Sequence, residues 1–138
     1  MNPGALCPCG SAKPYSACCG PFLDHAQQPD TAEALMRSRY SAYVLVREEY
    51  LLRTWHPSTR PQALNFDNAE AITWLGLKIV RTEVGDSNDQ QGMVEFVARY
   101  KVSGKAHRMV EISRFVRESG QWFYLDGTLS PATKPVRR

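Results

Sequence analysis

The spacing of apolar positions changes period partway along the chain, and that change divides it into helices followed by strands. Ala32, Leu35, Met36, Tyr40, Tyr43 and Val44 recur at steps of three and four, which lays one apolar stripe along a helix. Arg37, Arg39 and Arg47 fall mostly beside or opposite that stripe. Asp30 or Thr31 supplies the cap, and Glu33 completes a capping box if the cap is Asp30. After a break near Arg47 the pattern runs on through Tyr50, Leu51, Leu52 and Trp55, and Pro57 ends it. Residues 57–68 are polar and hold Pro57 and Pro61; they predict a loop with room for a short helical turn at 61–65.

From Ile72 the period is two. Strands are predicted at Ile72–Val84, Gly92–Val102, Arg108–Arg117 and Gln121–Asp126, separated by turns at 85–89, 103–104 and 118–120. The second strand sets Val94, Phe96, Ala98, Tyr100 and Val102 on one face, with Glu95 and Arg99 on the other. The third shares one face among His107, Met109, Glu111, Ser113 and Phe115. Helices followed by an antiparallel meander give the α+β order. The expected architecture is a curved sheet wrapped over a helix pair.

The first twenty or so residues fit neither period. All four cysteines fall at Cys7, Cys9, Cys18 and Cys19. A divalent zinc ion takes four soft donors at tetrahedral corners, with Zn–S distances of roughly 2.3 Å. Pro8 stiffens the first Cys-x-Cys arm, and Gly10-Ser11 allows the turn that follows. Adjacent cysteines would point apart on a strand, so Cys18-Cys19 belongs in a turn or at a helix start, with Gly20-Pro21 expected to stop that structure. Leu6, Tyr15 and Phe22 are the main large apolar residues near the cysteines. Metal binding would therefore supply the folding energy, of order 10–16 kcal/mol in comparable zinc knuckles. Two disulfides are the competing use, but adjacent cysteines pair badly and reducing compartments keep thiols free. Iron also suits a tetrahedral thiolate set.

At 138 residues and 15.6 kDa the chain suits one domain with a small appendage. The start shows no basic-then-apolar signal and no apolar run reaches membrane length, so a soluble cytoplasmic protein is expected. The net charge of +3 is too mild to imply nucleic acid by itself. The charge is uneven, however, with eight Lys and Arg against three acids from Lys101 onward. Lys134, Arg137 and Arg138 sit in a proline-bearing tail, a weak candidate for contact with RNA, ribosome or acidic protein. No phosphate-cradling glycine loop, serine elbow or HExxH helix occurs in the sequence.

Cys7-Pro-Cys-Gly-Ser, Lys13, Tyr15 and Cys18-Cys19-Gly-Pro-Phe together resemble the SEC-C knuckle, a zinc-binding motif also found at the carboxyl terminus of the SecA translocation motor. Ala34-Leu-Met-Arg-Ser-Arg-Tyr-Ser-Ala-Tyr43, Thr54-Trp-His-Pro-Ser-Thr59, Val94-Glu-Phe-Val-Ala-Arg-Tyr100, Ser113-Arg-Phe-Val-Arg117 and Trp122-Phe-Tyr-Leu-Asp-Gly127 resemble the bacterial YchJ family. The resemblance spans nearly the whole chain. It implies a SEC-C-like knuckle at 1–23, a linker at 24–30, a domain similar to nuclear transport factor 2 at 31–131 and a basic tail at 132–138. It also suggests partners in protein export or translation, such as a chaperone, a translocation component or the ribosome, contacted through Lys13 and Tyr15.

A second site is expected at the mouth of the cone, where polar residues on the inward face would line a pocket. Tyr40, His56, Arg99, Glu111 and Arg114 are its candidates, with Arg99 and Glu111 meeting across the sheet. Glu95 and Glu111 could divide acid and base roles if their environments differed. Cross-strand Glu–Arg pairs equally arise with no substrate, and His56 at a helix end is commonly a cap. A binding module presented by the knuckle is thus the leading reading, and a small-molecule-binding or catalytic cone the alternative.

Overall fold

The computed structural model describes residues 5–64 and 72–129. After a 3-10 turn at Tyr15–Ala17 come three helices, α1 (Gly20–Asp24), α2 (Ala32–Leu45) and α3 (Glu48–Arg53). Four strands follow, β1 (Ile72–Val84), β2 (Gln91–Val102), β3 (Lys105–Glu118) and β4 (Gln121–Leu129). They form one antiparallel sheet in the order β1-β2-β3-β4. This is the expected α+β fold, with β1 bounded as its alternation predicts. Strands β3 and β4 each run beyond their predicted ends.

Capping decides the helix starts. The Thr31 hydroxyl accepts the Ala34 N–H at 3.1 Å, so Thr31 rather than Asp30 caps α2 and no capping box forms on Asp30. The Asp30 carbonyl instead accepts the Trp122 indole N–H at 2.9 Å, fixing the helix start to β4. Val46 takes a left-handed conformation (φ 57°) and ends α2, which places the break one residue before Arg47. Helix α3 stops at Arg53, short of Pro57, because Trp55 and His56 leave it to pair with β4. The His56 N–H donates to the Tyr124 carbonyl and the Tyr124 N–H to the Thr54 carbonyl, both at 2.8 Å. Residues 61–64 form no helical turn. Residue 65, the end of that expected turn, and the basic tail with Lys134, Arg137 and Arg138 lie outside the described residues.

Gly20-Pro21 begins α1 instead of stopping the chain after Cys19. Cys19 is the N-cap residue and Pro21 occupies the first turn, where its missing N–H has no helical partner to lose.

The core lies between α2 and one face of the sheet. Leu35, Met36, Tyr40 and Ala42 from α2 meet Leu77, Val94, Phe96, Ala98, Phe115 and Trp122 from the strands. Bulges interrupt pairing between Trp74 and Gly76, Ile79 and Arg81, and Arg114 and Phe115, and such insertions bend a strand and increase its twist. The buried cluster also includes Cys7, Cys9, Tyr15, Cys19 and Leu23. The thiol-bearing segment therefore packs directly on the helix–sheet core.

Helix α2 enters beside the β1–β2 turn where two glycines leave room. The Ala32 N–H donates to the Gly85 carbonyl at 3.0 Å. A Cβ on Gly92 would lie 2.7 Å from the Ala32 methyl and 2.8 Å from the Gly85 Cα. Gly92→Ala is expected to cost about 1–3 kcal/mol by overpacking. Gly76→Ala, whose Cβ would meet nothing within 4 Å, should change stability by less than about 0.5 kcal/mol. Chemical denaturation of both variants measures the contrast, and equal losses would refute it.

Candidate metal centre and the buried polar cluster

Residues Cys7–Cys19 bring all four thiols to one point because the chain folds back on itself there. The Cys7 N–H donates to the Lys13 carbonyl at 2.8 Å, Leu6 bridges Pro14, and Gly10 turns the first arm with φ 81°. The four Sγ atoms lie within 4.8 Å of one another. Cys9 and Cys18 are 3.6 Å apart, close to the spacing of about 3.8 Å that a tetrahedron with Zn–S bonds near 2.3 Å requires. All four cysteines are free of disulfides. Cys7, Cys9 and Cys19 are buried, and Cys18 is partly exposed.

Polar neighbours hold the sulfurs from outside. Ser41 of α2 lies 3.5 Å from the Cys7 sulfur and Ser11 lies 3.1 Å from that of Cys18. The Arg37 guanidinium donates to the Cys9 carbonyl at 2.9 Å, lies 4.0 Å from its sulfur and also reaches Glu33. Such contacts orient ligands and tune a metal site.

The thiols cannot ionise independently. Hydrogen bonds from Cys19 and then Cys7 pull the Cys9 thiol far below its ordinary value. The corresponding bonds from Cys7 and Cys9 push Cys19 far above it, and burial raises Cys18. One thiolate is thus favoured at the expense of its neighbours. A divalent cation reverses that arithmetic by replacing the protons, and the donor set and spacing fit one.

A second polar group, which the sequence pattern did not single out, lies within the cone. Arg39 is only 4% exposed. Its guanidinium donates to the Leu51 carbonyl and to the Thr54 hydroxyl, each at 2.7 Å. It also lies 5.0 Å from the Trp55 ring centroid and 4.6 Å from that of Tyr124. Aromatic faces attract a desolvated guanidinium. Burial pulls its pKa down, yet an arginine stays charged in proteins. The signal was available: position 39 stands four residues after Leu35, three after Met36 and four before Tyr43, inside the stripe.

Glu111 shares that interior. The Ser113 hydroxyl donates to its carboxylate at 2.7 Å, and a Cβ at Gly127 would overlap it. Burial pushes Glu111 above the ordinary carboxylate range, outweighing the Ser113 bond and the attraction of Arg39.

The expected pocket residues do not assemble. Phe96 pairs with Glu111 while Arg99 pairs with Arg108, so strand alternation puts Arg99 and Glu111 on opposite faces and the expected pair does not form. Arg114 is exposed on the outer side and pairs with Asp126 at 2.7 Å. Glu95 bonds Arg81 at 2.7 Å on that same side, away from Glu111. His56 contacts Ser58 and Glu118 at 2.7 and 2.9 Å and meets Phe123 edge-on, fastening the loop after α3. Tyr40 does face inward, buried edge-on to Trp74. Lys13 is exposed, whereas Tyr15 is 5% exposed and packs into the core because its ring lies beneath Gly20.

Comparison with known proteins agrees with this arrangement. Residues 31–127, more than half of the chain, match the family model described as the YchJ middle NTF2-like domain, and residues 5–21 match the SEC-C motif. A UPF0225 protein of Chromobacterium violaceum is 56% identical over 128 residues, covering 91% of this chain and 94% of that one. A UPF0225 protein of Polaromonas naphthalenivorans is 52% identical over 133 residues, covering 88% and 95%. The solution structure of a SEC-C motif containing protein from Rhodopseudomonas palustris is similar with TM-score 0.79 at 33% identity, covering 90% of this chain and 98% of that one. The crystal structure of a SEC-C motif containing protein from Psychrobacter arcticus gives TM-score 0.72 at 27% identity, covering 100% and 88%.

Reduced protein titrated with zinc should saturate near one equivalent per chain, and Cys18→Ala should lose that tight binding; unchanged stoichiometry and affinity in the variant would remove Cys18 from the ligand set. For Glu111, burial favours the neutral form, so its stabilising contribution is complete in acid and is lost as pH rises through the raised folded value. Glu111→Gln should therefore be more stable than wild type at pH 7, with the difference shrinking toward about pH 4, where the unfolded carboxyl also protonates. Denaturation midpoints across that range provide the measurement, and a pH-independent difference would contradict the assignment.

Proposed function

This chain belongs to the YchJ family, and we propose that it is a cytoplasmic zinc-binding adaptor whose knuckle docks a protein or ribosomal partner in export or translation. The observation that carries the reading is the gathering of four thiols within 4.8 Å on a segment matching the SEC-C motif. Zinc is favoured because four thiolates at tetrahedral spacing with no open position describe a structural site; iron is the metal that competes for the same donors. Among the described residues no helix is long and apolar enough to cross a membrane.

The metal would set the shape of the loop without taking part in the contact. Its ligands face inward, while Ala12–Pro14, Ser16 and Ala17 face solvent. Leu6 is 65% exposed and bridges Pro14, next to exposed Lys13. An apolar side chain beside a cation, on a backbone fixed by metal, suits a partner segment with one apolar anchor and an acidic neighbour. A catalytic cone has less support, since Arg99, Arg114 and His56 take up positions apart from Glu111.

Affinity capture with metal-loaded wild type, Lys13→Glu and Leu6→Asp, quantified for ribosomal and export components, tests this reading. Both substitutions should lower recovery of the same partner without altering bound zinc. Identical partner profiles for all three proteins would exclude the knuckle surface.

A further inference from the structure

The outer face of the sheet carries a segregation of charge that the knuckle reading does not use. At one end its charges are compensated: Arg81 pairs with Glu95 and Glu83, and Arg114 with Asp126. At the other end, toward the β2–β3 turn, Lys78, Arg99, Lys101 and Arg108 are all exposed, and none makes an ion pair among the described residues. Arg99 and Arg108 are direct cross-strand partners. Like charges directly opposite destabilise a sheet, so this placement has a cost that no ion pair among the described residues offsets.

The same end holds a groove of about 730 Å³ lined by Gly76, Lys78, Val97, Arg99, Ala106 and Arg108, together with Leu77 and His107. Among the described residues its lining contains no carboxylate. Gly76 pairs with Arg99 and opens the groove, because even a Cβ there would meet nothing within 4 Å.

We propose that this groove binds the phosphodiester backbone of single-stranded RNA. Side chains of Arg99 and Arg108 start about 5 Å apart across the strands, close enough for both guanidinium groups to engage one phosphate, whose oxygens point in several directions. A carboxylate offers a single edge and is satisfied by one arginine fork. Lys101 follows Arg99 on the same face after two residues, about 7 Å further along, a step similar to that between consecutive phosphates of an extended strand. Lys78 flanks the row from β1. Val97, Ala106 and Gly76 provide a shallow floor, and the ring of His107 is engaged with buried Tyr100, so contact is with the backbone and carries no base preference. This inference does not depend on the knuckle having a protein partner.

The test uses full-length, metal-loaded protein and a fluorescein-labelled single-stranded RNA 20-mer, with anisotropy recorded from 50 to 200 mM salt. Wild type should bind with an affinity that falls steeply with salt. Arg99→Ala combined with Arg108→Ala should weaken binding about tenfold and reduce the log–log salt slope by about 1.4, two phosphate contacts at about 0.7 each. Arg114→Ala, on the same face but already ion-paired, should bind as wild type does. Both arginines are exposed, so thermal unfolding of the double variant should show an intact fold. Absence of RNA binding by wild type would overturn the proposal, as would equal losses in the Arg114→Ala control. Displacement of RNA by poly-glutamate at matched charge concentration would assign the groove to acidic protein instead and equally overturn it.

Discussion

Burial of several thiols against one helix is the constraint on which this architecture turns. Cys7 meets Ser41, and Cys9 meets Arg37, both from α2. The same helix presents Leu35, Met36, Tyr40 and Ala42 to the core. The first of these sulfurs to ionise is favoured by its neighbours' hydrogen bonds, but each further thiolate is costly, since desolvation and repulsion both oppose it. A dication at their centre relieves both at once. Metal binding at this cluster would therefore be coupled to seating of the amino-terminal segment on the cone, with the binding energy passing into the packing of α2.

Periodicity made much of the scaffold legible. The inward residues of β2 alternate as the sequence implies, and β1 begins and ends where its pattern does, because a strand with one buried face fixes its own register. Helix ends were less accessible: Thr31 and Asp30 are adjacent candidates, and only the Trp122 bond to the Asp30 carbonyl explains why the hydroxyl cap prevails. Polar residues were hardest to place. Arg39 reads as surface by residue type although its position lies within the apolar stripe, and its burial depends on Trp55 and Tyr124, which arrive from distant parts of the chain. Arg99 and Glu111 both look suited to a pocket, but face assignment follows from pairing register, which depends on the turns. The four cysteines were legible as one cluster of thiols because their spacing is local; Tyr15, beside them, was not legible as core because what covers it is tertiary.

The interior charge of Arg39 follows a different logic from the thiols. A buried guanidinium is tolerated when its donors are satisfied and its faces are covered. The Leu51 carbonyl and Thr54 hydroxyl supply the acceptors at the end of α3, while Trp55 and Tyr124 supply the faces. Arg39 thereby joins α2, the end of α3 and β4 at a single point. Glu111 shares this interior and is kept toward its neutral form by the same desolvation, with Ser113 as its direct partner. Compact polar networks of this kind specify one arrangement of elements more sharply than apolar packing alone.

The covering of the sheet edges determines which surface remains for recognition. Strand β1 is one edge, and Gly10 of the knuckle approaches it so closely that a Cβ would lie 2.8 Å from the Leu77 carbonyl. Strand β4 is the other, and Trp55-His56 pairs with it at Tyr124. Edge strands left open invite pairing with other chains, and here segments from outside the sheet lie against both. The inner face is occupied by α2 and its aromatic partners. Among the described residues the outer face is then the broad surface still open, and its charges are sorted, paired toward the β1–β2 turn and without ion pairs toward the β2–β3 turn. The thiol-bearing loop is packed against the β1 edge of this same sheet, so the cysteine cluster and the charged outer face share one support.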